Sequence, residues 1–113
     1  IAAREFFDKQ SLSTEQKDEV IHCIEAHHGQ IPFNSLEAEI CANADCYRFI
    51  HPRGFLGFLV DLGEKGYSVS DALDYAEKKL EEKHKILSLD ICKQELEEYY
   101  LTLKRYIGIA RGL

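Results

Sequence analysis

The sequence predicts an all-α fold, and three of its features support that prediction. Apolar residues recur at spacings of three and four, as they do along one face of a helix. No segment alternates between apolar and polar residues for long enough to form a strand. Residues typical of helix ends, such as Ser13, Gly29 and Pro52, separate the periodic segments. We therefore expect about five to six helices in one compact bundle, as a single helical domain over residues 1–113.

The N-terminal part of the chain predicts two helical segments. The first residues, up to about Lys9, have the pattern of the last turns of a helix. Ser13 and Gln16 then form a capping-box pattern, which predicts a new helix that ends at Gly29. The apolar stripe predicted for this helix contains Val20, Ile24 and His27, with Ile21 and His28 flanking them.

The next helix is predicted from its cap and from the proline that follows it. Asn34 or Ser35 is expected to cap it, and Pro52 is expected to end it near Ile50. The almost wholly apolar residues 55–62 predict a buried helix or a turn-rich connection. The apolar row predicted for the capped helix contains Leu36, Ile40, Ala44 and Tyr47.

Two longer amphipathic helices complete the predicted fold. The first begins at Ser68 or Ser70 and is expected to have a solvated outer face over residues 77–85, which read EKKLEEKHK. The second runs from Asp90 to about Ala110, with apolar residues at helical spacing.

The composition limits the classes of partner. A formal net charge of −6 argues against a nucleic-acid duplex, and no apolar run reaches the roughly 20 residues of a membrane span. The four cysteines lack CxxC spacing, so we expect neither a disulfide framework nor a structural zinc site, and we expect a cytoplasmic protein. The chain begins at Ile1 and contains no methionine, so we expect that N-terminal helices of the domain precede it.

Asp45 is the residue that most needs a chemical explanation. It lies among apolar and small residues, where a carboxylate needs a cation, hydrogen bonds or a metal to offset its desolvation. His27 and His28 end the preceding helix, and imidazoles with carboxylates are common ligands of divalent metals in hydrolases. Each observation has an alternative explanation. A helix C-terminus itself favours histidines, and Arg48 lies one turn from Asp45.

A second candidate site lies at the end of the same helix. His51 and Arg53 flank Pro52, and a guanidinium group matches the geometry of phosphate oxygens. A surface turn without a ligand is the alternative interpretation of these residues.

A longer pattern links the candidate residues. An apolar helix that ends in two histidines is followed by Pro32, by a helix start at Ser35–Ala38 and by the Ala44–Asp45 pair. This order and spacing resembles the second half of an HD-domain metal-dependent phosphohydrolase, over about residues 6–57. The helices predicted after this segment agree with the family only in being helical.

The resemblance implies a specific activity. Members of the family are helical bundles in which a divalent metal, here Mn²⁺, Fe²⁺, Co²⁺, Mg²⁺ or Ni²⁺, promotes hydrolysis of a small phosphate ester such as a nucleotide. Asp45 falls on the last metal-ligand position. His27 and His28 fall where members with two metals place further ligands, and where single-metal members approach the phosphate. Asn43 stands where many members have an aspartate, and Cys46 stands where an arginine is frequent.

The chain also departs from the family in one defining feature. The His-Asp pair of the family does not occur in the 113 residues, so these ligands are expected before Ile1. Without them the chain would be a degenerate relative that acts as a binding or regulatory module, which is the alternative function. An unrelated interaction bundle is a third possibility. The expected partners are a small phosphorylated substrate and a second copy in a homodimer.

Overall fold

The computed structural model describes residue 5 and residues 12–112, and helices dominate this part of the chain. We number them α1 (Thr14–Ala26), α2 (Leu36–Ile50), α3 (Pro52–Glu64), α4 (Val69–Ile86) and α5 (Asp90–Arg111). The described residues contain no strand, so the predicted all-α class is confirmed. The helical end predicted for residues 1–9 falls, apart from residue 5, outside the described residues. None of the described helices is both long and apolar enough to cross a membrane.

Most of the predicted helix ends are confirmed by hydrogen bonds. The Ser13 side chain accepts a hydrogen bond from the Gln16 backbone, and the Gln16 side chain accepts one from the Ser13 backbone, which completes the capping box. Ser35 caps α2 by accepting the N–H of Ala38, and Ser68 caps α4 in the same way. These bonds satisfy amide groups that have no partner within the first turn of a helix. The cap residues were therefore reliable signals in the sequence.

The chain divides into two compact units, Ile1–Ala42 and Asn43–Leu113, which we describe separately. In the first unit, α1 is tied to the segment before α2 by two hydrogen bonds. The Asn34 N–H donates to His22 Nε2 at 3.1 Å, and the Ser35 hydroxyl donates to Glu19 Oε1 at 2.6 Å. These contacts fix the path of the connection between the two helices.

The predicted apolar rows of α1 and α2 are wrong at several positions, although Tyr47 of the α2 row does pack against the core. Ile24 is 45% exposed and Leu36 is 60% exposed, and Ile40 and Ala44 are also exposed. The period of an apolar row does not say which neighbouring element covers it, so tertiary packing decides which face of a helix is buried. The residues that are actually buried are Ile21 and Ala26 in α1, and Ala38, Ala42, Cys46 and Ile50 in α2.

The second unit has its own hydrophobic core. Phe55 of α3 and Leu80 of α4 pack in one cluster with the buried face of α5. Burial of such side chains is the main favourable contribution to folding. The α5 residues in this cluster are Leu96, Leu103 and Ile107.

Charged side chains join α4 to α5 at the edge of this core. Lys104 Nζ lies 2.9 Å from a carboxylate oxygen of Glu77 and 2.9 Å from one of Glu81. The His84 ring stacks on Tyr100, with ring centroids 3.7 Å apart. The prediction that residues 77–85 form a solvated face is therefore wrong for these positions, because α5 covers one side of that segment. Lys83 departs furthest from the prediction, since it is buried.

Candidate functional site

A solvent-open groove lies where α2 ends and α3 begins. Its volume is about 530 Å³, and two arginines and one histidine are among the residues that line it. Both helices contribute because the chain turns sharply at His51 and Pro52, with Pro52 in the first turn of α3. Proline suits that position because it has no N–H and its backbone is preset for a helix. The residues lining the groove are Ala44, Tyr47, Arg48, His51, Arg53 and Gly54.

Gly54 permits the close approach of the two helices at this corner. A Cβ atom at this position would lie 1.8 Å from the carbonyl oxygen of Arg48. No side chain fits at that distance, so only glycine allows the backbone of α3 to pass so near the end of α2. The close approach of α2 and α3 at this corner therefore depends on the glycine at position 54.

His51 is held in one orientation and one tautomer. Its Nδ1 atom accepts the backbone N–H of Arg53 at 3.2 Å, which places the proton of the neutral ring on Nε2. The ring packs against Tyr99 at 5.2 Å and lies nearly parallel to Tyr47 at 6.5 Å between centroids. The groove is thus lined by an oriented imidazole and by two arginines. His51 and Arg53, predicted together from the sequence, do line one site.

Asp45 lies close to this groove on α2 and has two cationic neighbours. Its Oδ2 atom lies 2.5 Å from Lys83 Nζ, and its Oδ1 atom lies 3.9 Å from the guanidinium of Arg48. The Asp45 side chain is 27% exposed, whereas the Lys83 side chain is 9% exposed. The pairing with Arg48 that the sequence offered as an alternative is therefore present. The closer partner, however, is a lysine that the sequence interpretation had placed on the surface.

Cys46, next to Asp45, is fully buried in the core of the second unit. Burial raises the pKa of its thiol to about 11, partly offset by the nearby charge of Lys83. The thiol therefore stays protonated at neutral pH. Where the family resemblance placed a frequent arginine, this chain has a small apolar core residue.

The Asn43 side chain is hydrogen-bonded to the segment that precedes α5. Its Oδ1 atom accepts the backbone N–H groups of Ser88 at 3.0 Å and Leu89 at 3.1 Å, and its Nδ2 atom donates to the Ser88 hydroxyl at 3.0 Å. Leu89 is the residue immediately before α5, and its own side chain forms no capping bond. Asn43 thereby supplies, from a distant helix, hydrogen bonds to the connection that leads into α5.

His27 and His28 lie in the first unit, at the C-terminal end of α1. His27 Nδ1 contacts the carbonyl oxygen of Ile24, and the two histidine rings lie 3.8 Å apart between centroids. Contact with a terminal carbonyl is the interaction expected of a histidine at a helix end. The structure thus brings the two histidines together, but they and Asp45 belong to separately described units, so their predicted shared cation site stays a prediction.

The sequence interpretation missed Lys83, and a signal for it existed. Ala72, Ala76 and Leu80 are spaced by four residues, and Lys83 continues that stripe one turn later. A lysine on a buried stripe needs an acidic partner. Asp45 was the obvious choice, because its own apolar surroundings in the sequence already called for a cation.

The described residues contain no group of three or more histidine, cysteine, aspartate or glutamate side chains placed to hold a metal ion. Asp45, one of the predicted ligands, is paired with Lys83. Comparisons with protein families, with curated proteins and with solved structures find no match for this chain.

Proposed function

We propose that this chain is part of a metal-dependent phosphohydrolase that binds a small phosphate ester, such as a nucleotide, in the groove between α2 and α3. The observation that carries the proposal is the meeting of Arg48, His51 and Arg53 around one groove beside a half-buried aspartate. The pattern resemblance to the HD-domain family supports the hydrolytic part.

Two arginines and one histidine line the groove, and their side chains can bind an anion. The Arg48 side chain is 86% exposed and lies 3.9 Å from Asp45, beyond hydrogen-bond distance, so its N–H groups are accessible to a ligand. A guanidinium group can bind two phosphate oxygens at once, and a neutral imidazole can donate one further hydrogen bond from Nε2. A volume of about 530 Å³ is within the range that small-molecule sites occupy.

Asp45 is the proposed ligand of the metal, and His27 and His28 are proposed as further ligands or phosphate contacts. The described residues do not by themselves form a complete ligand set, and Lys83 holds one oxygen of Asp45. A bound divalent ion would supply an activated water and neutralise charge on the phosphoryl group. Substrate binding relies on protein groups, because the arginines bind and orient the phosphate.

A phosphatase assay tests the proposal. The native full-length protein, stripped with chelator and resupplied with Mn²⁺ or Co²⁺, should release phosphate from members of a panel of nucleotides and sugar phosphates. Arg53→Gln should weaken turnover, because it removes a charged donor from the groove, whereas Arg105→Gln on the exposed face of α5 should not. Failure to release phosphate with every metal and every substrate would contradict the hydrolase.

The second candidate function is a helical module that binds a phosphorylated ligand without metal. The ion pair between Lys83 and Asp45 favours it, because an ammonium group already neutralises the carboxylate. Nucleotide binding that persists in EDTA, in a protein that never releases phosphate, would support this module.

Location and assembly belong to the same proposal. We place the protein in the cytoplasm, and the four cysteines support this because all of them are free thiols. We expect a homodimer, which light scattering coupled to gel filtration would test directly.

A further inference from the structure

One face of α3 presents large apolar side chains to solvent. Leu56 is 56% exposed and Val60 is 61% exposed, and they lie one helical turn apart. Gly57 lies beside them on the same face, and a Cβ atom at this position would meet nothing within 4 Å. The opposite face of the helix, with Phe55 and Leu62, is buried. The outer face of α3 therefore offers an open apolar surface to a partner.

The charged residues at the two ends of this face are placed against the dipole of the helix. Arg53 lies in the first turn of α3, Glu64 is its last residue, and Asp61 lies one turn before that end. A helix dipole favours acidic residues in the first turn and basic residues in the last turn, and α3 has neither. Lys65, the C-cap residue, lies just outside the helix. Among the described residues, Arg53, Asp61 and Glu64 form no ion pair.

We propose that this face of α3 binds the same face of a second copy, with the two helices antiparallel, and thereby forms the interface of the homodimer. A two-fold axis through the middle of the face places Arg53 of each copy opposite Glu64 of the other. It also brings a carboxylate to the N-terminus of each α3, where the dipole favours it. The same axis places Gly57 opposite Val60, so a residue without a side chain faces a branched one. The face is therefore complementary to itself in charge and in size, as a two-fold interface requires.

The inference rests on the homodimer of the proposed function and is independent of the metal. The face extends over about 17 Å from Arg53 to Glu64. One pair of helices of this length buries less than the roughly 800 Å² per partner of a stable interface, so we expect a reversible dimer. Arg53 also lines the groove. Its guanidinium has five N–H donors, so it can contact a carboxylate of the second copy and a phosphate together.

Sedimentation equilibrium of the full-length protein over a range of concentrations measures the dissociation constant of the dimer. Leu56→Glu is the first variant, because it places a charge in the apolar part of the face. Leu101→Glu is its matched control, since Leu101 is also 56% exposed but lies on α5. Glu64→Lys is the second variant, and its combination with Arg53→Glu exchanges the two charges while keeping them complementary. Thermal melts followed by circular dichroism verify that each variant is folded.

The unmodified protein and Leu101→Glu should form dimers with the same dissociation constant. Leu56→Glu and Glu64→Lys should each raise that constant by about tenfold or more, because each places like or unpaired charges against the second copy. The charge-exchanged double variant should recover most of the affinity that Glu64→Lys loses.

Three results would overturn the inference, and they have different consequences for the proposed function. A protein that stays monomeric at every concentration would refute both the interface and the expected homodimer, and would leave the phosphatase proposal to its own assay. A dimer that Leu56→Glu and Glu64→Lys weaken no more than Leu101→Glu does would refute this face and leave the homodimer standing. Failure of the double variant to recover affinity would refute the antiparallel pairing.

Discussion

Replacing Asn43 with alanine should destabilise the protein strongly. The side chain is fully buried and makes three hydrogen bonds, two to Ser88 and one to Leu89, at 3.0 to 3.1 Å. Each buried hydrogen bond contributes about 1 kcal/mol net, and backbone N–H groups left without a partner add a further cost. We therefore expect Asn43→Ala to lower the free energy of unfolding by about 3 kcal/mol, a large share of the roughly 5–15 kcal/mol typical of a domain.

Urea denaturation followed by circular dichroism measures this change. Asn34→Ala is the matched control, because Asn34 is exposed and its backbone, rather than its side chain, donates to His22. The control should change the free energy of unfolding by less than about 0.5 kcal/mol. A loss below about 1 kcal/mol for Asn43→Ala would refute the assignment of Asn43 as the residue that fixes the entry to α5.

Three further changes test other parts of the structure. Gly54→Ala would place a Cβ atom 1.8 Å from a carbonyl oxygen of α2, so it should cost about 1–3 kcal/mol in urea unfolding, whereas Gly57→Ala has no neighbour within 4 Å and should not destabilise; equal stability of the two variants would contradict the tight corner. The hydrogen bond from Lys104 lowers the pKa of Glu77. At pH values above the usual pKa of a glutamate this carboxylate therefore stabilises the fold, and the stabilisation is lost as the pH falls through the lowered pKa. Glu77→Gln should therefore flatten the acid side of a plot of melting temperature against pH, and an unchanged slope would count against it. With its pKa raised to about 11 by burial, Cys46 should react with iodoacetamide at pH 8 far more slowly in the folded protein than in urea, as peptide mass spectrometry can measure, and equal rates would show that the thiol is not protected.

The fold was predictable where the signals are local. Ser13, Ser35 and Ser68 cap helices through bonds to residues three positions away, so their role can be inferred without the tertiary structure. Pro52 likewise separates two helices through its own backbone geometry. The buried face of α2 was not predictable in the same way. Hydrophobicity favours Leu36 and Ile40, but tertiary packing buries another face of the helix, which holds Ile50 as well as small residues.

The candidate site was predictable only in part, for a related reason. His51 and Arg53 are two residues apart, so one helix start brings them together. Lys83 and Asp45 are 38 residues apart, and their pairing follows from how α4 packs on α2 in the second unit. Asn43 and Ser88 are likewise 45 residues apart. Contacts of this kind depend on tertiary packing, which helical periodicity does not specify.

The binding of a phosphate ester in the groove is the central claim, and its most direct test is a calorimetric titration with AMP. EDTA prevents turnover during the titration, and full-length Arg53→Gln is compared with Arg105→Gln, which alters an exposed arginine outside the groove. Loss of one charged hydrogen-bond donor to phosphate should weaken AMP binding by about tenfold, since such a bond contributes about 1.5–3 kcal/mol. We predict this loss for Arg53→Gln and an unchanged dissociation constant for Arg105→Gln. Equal affinities in the two variants, or no AMP binding by the unmodified protein, would contradict the claim.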